Sequence, residues 1–132
     1  VDMMFAYLSQ YEYPITKIKI KELEPNLYCK SWIINKKEVA PIEVLDNKLK
    51  YKLEMSRIKN AELKYPIIMY DGVIIDGMHR FTKAFMENRK SIKTCIFNNE
   101  LMSKFCISNR GYTKKIENMN ICDLMILYKN RF

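Results

Sequence analysis

Asp76-Gly77-Met78-His79-Arg80 is the stretch best equipped for chemistry. A strand that ends at Asp76 and a helix that begins after Gly77 would turn the first backbone N–H groups of that helix outward. Those groups have no acceptor inside the helix and carry the positive end of its dipole, which makes an anion site. Gly77 has no side chain to keep a phosphate from the backbone. Arg80 offers a planar fork of donors that suits phosphate oxygens. His79 either donates to phosphate or works as acid or base near neutral pH. Asp76 would repel a bare phosphate, so it suits a Mg2+ ligand or the group that orients an attacking hydroxyl or water. Lys83, one turn further on, adds a possible charge contact.

The same five residues also have an ordinary reading: Asp76 as a helix cap, Gly77 as a bend, His79 and Arg80 as first-turn surface residues. Two features weigh against it. Cations are disfavoured at a helix N-terminus unless an anion sits there. The stretch from Gly77 to Lys93 also carries Arg80, Lys83, Arg89, Lys90 and Lys93 against one acid, Glu87. As a first-turn residue, Arg80 is expected to be exposed and dispensable for the core.

The elements that must hold this corner are legible around it. Ile67-Ile68-Met69-Tyr70 reads as a short apolar strand, Asp71-Gly72 as a two-residue hairpin turn, and Val73-Ile74-Ile75-Asp76 as the returning strand. Phe81, Ala84, Phe85 and Met78 define one face of a helix over 78–88, and Ile92 to Phe97 is a further strand. Upstream, the β-branched run between Pro14 and Pro25 predicts a strand over 15–21, with a turn at Pro25-Asn26. Leu45, Leu49 and Leu53, spaced by four, with Ile58 beyond, predict one amphipathic helix over 43–59. Residues 27–42 give no clear pattern beyond Trp32-Ile33-Ile34. Residues 1–13 suggest a short helix or an arm, and Asn120 caps a predicted final helix. The expectation is a single α/β (α+β) domain over 1–132, with a small mixed sheet and packed helices.

Composition narrows the partners. The 132-residue chain is 48% hydrophobic, enough for one core, and its net charge of +8 favours an anionic partner. A lysine-rich solvated surface would give the same balance. No stretch approaches the roughly 20 apolar residues that span a bilayer, so no membrane partner is expected. The opening Val1-Asp2-Met3-Met4-Phe5 has an acid and no basic residue, unlike a signal peptide, and the expected location is cytoplasmic. Cys29, Cys95, Cys106 and Cys122 form no CxxC pair and the chain has a single histidine, which disfavours a four-ligand zinc site. The tyrosines and Trp32 are read as packing groups before base-stacking ones, and the nine methionines as core filler.

Pro66-Ile67-Ile68-Met69 followed by Val73-Ile74-Ile75-Asp76-Gly77-Met78-His79-Arg80-Phe81-Thr82-Lys83-Ala84 resembles the ParB/sulfiredoxin superfamily, whose members show a PIxV … DGxHRxxAA run. The likeness is best over 15–97 and leaves 98–132 as an extension. It implies a ParB/sulfiredoxin-like fold and a nucleotide site for ATP, ADP or CTP with Mg2+. By that resemblance the nucleotide contacts are Gly77, Met78, His79, Arg80 and Lys83, the catalytic residues Asp76 and His79, and the metal ligand Asp76. Met78 stands where sulfiredoxins carry their catalytic cysteine, which argues against that activity. The residues after Phe97 are too few for the helix-turn-helix and dimerisation domains of a chromosome-partition protein. The free-serine kinases of the superfamily match the Asp-Gly-x-His-Arg form more closely. Their glutamate after the first Pro turn has no counterpart in Pro25-Asn26-Leu27-Tyr28, and Glu22, Glu24 and Glu43 are only nearby. The resulting expectation is phosphoryl transfer or nucleotide hydrolysis. The alternatives are a non-catalytic DNA- or RNA-binding module, a ParB-like nuclease, and a homodimer closed by nucleotide.

Overall fold

The computed structural model describes residues 14–100. The chain divides into two compact units, and the architecture below is that of Ile15–Ile96. The expectations for residues 1–13 and for a helix capped by Asn120 lie outside the described residues.

Strand β1 is Thr16–Lys19, followed by a one-turn helix α1, Ile20–Leu23, and a 3-10 turn, Glu24–Tyr28. The strand expected over 15–21 is therefore shorter. At Ile20 the chain folds inward, because Ile20 and Leu23 on one helical turn both reach the core. Strands β2, Trp32–Ile34, and β3, Lys37–Val39, then form a hairpin. Its turn residues Asn35 and Lys36 have φ of 50° and 64°, the left-handed pair that a two-residue hairpin turn requires.

The single helix expected over 43–59 is two: α2, Pro41–Asp46, and α3, Lys52–Asn60. Asn47 (φ −140°) leaves helical geometry, in keeping with the tendency of asparagine to favour turns over helix interiors. The apolar stripe holds only in part. Leu49 is 82% exposed and Leu53 69%, whereas Leu45 packs against the core and Ile58 is buried with Val44 and Met55. At the start of α2, Pro41 supplies a preset φ. The Glu43 carboxylate accepts the Ala40 N–H at 2.6 Å, the half of a capping box that does not need a polar side chain at residue 40.

Strands β4, Ile67–Tyr70, and β5, Val73–Asp76, helix α4, Met78–Met86, and strand β6, Ser91–Phe97, follow the expected order. Asp71 (φ 50°) and Gly72 (φ 76°) make the turn between β4 and β5. Helix α4 stops two residues earlier than expected, and Asn88 (φ 53°) turns the chain into β6.

The result is an α+β fold with a four-stranded mixed sheet, ordered β1-β6-β4-β5, and the separate β2-β3 hairpin. Strands β1 and β6 pair antiparallel from Thr16 with Thr94 to Lys19 with Ser91. Ile67, Met69, Ile74 and Ile92 of the sheet pack with Ile20, Leu23 and Leu27, and with Met78, Phe81 and Ala84 of α4. A second cluster joins Val39, Val44, Met55 and Ile58. Trp32 packs against both clusters and ties the hairpin to the sheet. Buried Asn26 makes a further tie. Its amide donates to Leu23 O and its carbonyl accepts the N–H of Ile74, on the edge strand β5.

Candidate functional site

The β4–β5 ladder changes register just before the corner. Ile68 faces Asp76 while Met69 faces Ile74, so Ile75 is an extra residue, a β-bulge. In strict alternation Asp76 would share the face of buried Ile74. The bulge lifts that constraint, and the carboxylate meets α4 instead. Asp76 Oδ2 accepts Arg80 Nη2 at 2.8 Å, and the Gly77 N–H also donates to the Asp76 carboxylate. Burial pushes the Asp76 carboxyl up from its ordinary value, and the Arg80 charge and the Gly77 N–H offset part of that rise.

Gly77 sits at φ 91° as the residue before α4. A Cβ there would lie 2.7 Å from Ile67 Cγ2 and 3.1 Å from Ile67 Cα, so both conformation and space call for glycine. The first intrahelical bond runs from Phe81 N–H to Gly77 O. No side chain caps this helix start, so the ordinary reading of Asp76 as a cap does not describe its geometry.

Arg80 departs from the exposed residue expected. Its side chain is 12% exposed, and it bonds Pro66 O at 2.7 Å besides Asp76. The guanidinium therefore links the start of β4, the end of β5 and the first turn of α4. The reason is the i, i+4 spacing to Asp76 together with the return of the β4–β5 hairpin to the same corner. The Met78 side chain is core, which leaves its backbone at the corner. Lys83 donates to Lys59 O and Ala61 O at 2.8 and 2.7 Å, capping the C-terminus of α3.

His79 is held from two sides. Its Nε2 lies 2.7 Å from Glu54 Oε2, and its ring stacks on Trp32 with centroids 4.6 Å apart and 16° between planes. The Glu54 side chain is 8% exposed, and its other oxygen accepts Arg57 Nη1 at 2.8 Å. Both carboxylate oxygens of this buried acid are thus satisfied.

A groove of about 560 Å³ opens at this corner, within the usual range for small-molecule sites. Asp76, Gly77, His79 and Arg80 form one wall. Ser56, Arg57 and Asn60 of α3, with Tyr65 beyond it, form another. Four of the five corner residues named from sequence therefore line one groove. Met78 and Lys83 are not among the lining residues. Trp32, Glu54 and Arg57 were not singled out for the site. Among the described residues no three His, Cys, Asp or Glu side chains gather as a metal site. A Mg2+ ion held by one carboxylate and by ligand phosphates needs only Asp76, which would share its oxygens with Arg80.

No family model matches the chain, and comparison with curated proteins and with solved structures found no match.

Proposed function

We propose that this chain binds a nucleotide, of the ATP, ADP or CTP class with Mg2+, in the groove and transfers or hydrolyses its phosphoryl group. The observation that carries this reading is the convergence on one groove of an uncapped helix start at Gly77, the Arg57 guanidinium, and a histidine backed by a buried glutamate. The sequence resemblance to the ParB/sulfiredoxin superfamily points the same way. The α4 amide at His79 would meet phosphate oxygens. Arg57, on the exposed side of α3, would add charge, and Arg80 would hold Asp76 and the corner in shape. Asp76 would take the Mg2+ side of the phosphates, where the ion neutralises their charge. His79 would serve the group that attacks.

Thermal melting against ATP, ADP and CTP, each with and without Mg2+, tests this reading. A ligand that binds only the folded protein must raise the midpoint. The expected result is a rise with one nucleotide that shrinks in Arg57→Ala, since Arg57 is exposed and its loss leaves Glu54 paired with His79. No rise with any of them at saturating concentration would overturn the nucleotide reading. The +8 net charge would then favour the nucleic-acid module, in which the same corner grips a backbone phosphate and affinity falls steeply with salt.

A further inference from the structure

His79 has two ring nitrogens, and the structure treats them differently. Nε2 faces Glu54, whose second oxygen is already taken by Arg57. A carboxylate in that setting accepts, so the proton of a neutral imidazole belongs on Nε2. Nδ1 has no hydrogen-bond partner among the described residues. The His79 side chain is 33% exposed and lines the groove, and no buried side-chain nitrogen or oxygen among the described residues lacks a partner, so Nδ1 is not sealed in the core. The Trp32 ring stacks on one face of the imidazole.

We infer that Glu54 is a positioning residue that fixes His79 as the Nε2–H tautomer and leaves Nδ1 as the proton-accepting atom of the site. This inference rests on the phosphoryl-transfer reading above and decides between the two roles open to His79: base, not phosphate donor. In the step it supports, a water or alcohol oxygen attacks the terminal phosphorus of the nucleotide and passes its proton to Nδ1. The bond from phosphorus to the bridging oxygen breaks, and its electron pair leaves with the nucleotide shortened by one phosphate. Glu54 then faces an imidazolium, whose charge it stabilises across the Nε2–H bond.

The deciding experiment is nitrogen-15 NMR of the imidazole in the nucleotide-free protein at mildly alkaline pH. His79 is the only histidine in the chain, so the ring signals need no assignment. The expected spectrum has a single tautomer, with Nδ1 of the unprotonated type and an Nε2-bound proton slow enough in exchange to be observed. In Glu54→Ala that proton signal should vanish into exchange while the fold, followed by circular dichroism, persists. A proton on Nδ1 in the wild type would overturn the inference, as would an Nε2–H signal that survives in Glu54→Ala. Should Glu54→Ala fail to fold, the wild-type spectrum still decides. Because no nucleotide is present, failure of the melting test above would leave this spectrum unchanged, and the two ideas can fail separately.

Discussion

At the scale of single residues, the corner is held by groups that serve fold and site at once. Gly77→Ala forces a side chain into φ 91° and a Cβ against Ile67. Left-handed backbone at a non-glycine residue costs about 1–3 kcal/mol, and the contact adds to it. Urea denaturation of Gly77→Ala should therefore show a loss of at least about 1 kcal/mol. A loss near zero would mean the corner relaxes more freely than its geometry indicates. Arg80 belongs to the same class, because removing it strips partners from Asp76 and from Pro66 O together. It is a poor choice for separating binding from stability, whereas exposed Arg57 is a good one.

At the scale of elements, the start of α2 depends on one acid. Glu43 accepts the Ala40 N–H and pairs with Lys30 at 2.7 Å, and these contacts hold its carboxyl below the ordinary value. A folded-state value below the unfolded one means that Glu43 stabilises the fold above the unfolded value. That contribution disappears as pH falls through the folded value. Melting of wild type and Glu43→Gln across the acid range should show the wild-type advantage at neutral pH shrinking to nothing on acidification. An advantage independent of pH would show that the cap does not need the charge. How far each element could be read from sequence follows from how local its cause is. The β4–β5 hairpin and α4 were legible because Asp71-Gly72 and Gly77 carry their own backbone instructions. The β2–β3 hairpin was not, because Asn35-Lys36 reaches the same left-handed conformation without the glycine that signals it. The 43–59 segment is legible only in part, because the spacing that finds Leu45 and Ile58 also takes in the exposed Leu49 and Leu53, and only packing selects Val44 and Met55 instead. Glu54 escaped notice for a third reason. Its meaning lies in a partner 25 residues away, and no spacing rule connects the two.

At the scale of the molecule, the hairpin, α3 and the β5–α4 corner meet at one imidazole through Trp32, Glu54 and the chain itself. No helix among the described residues is long and apolar enough to cross a membrane. The stacked pair has a further use. Trp32 is the only tryptophan and His79 the only histidine, and they lie face to face at 4.6 Å. Light absorbed at the red edge, where tyrosine is silent, therefore reports on one place in the described structure. Emission should change in His79→Gln, and emission identical to wild type would show that the two rings do not stack. A ligand that engages Nδ1 should shift that emission, which gives the protein a built-in optical gauge of its own proposed site.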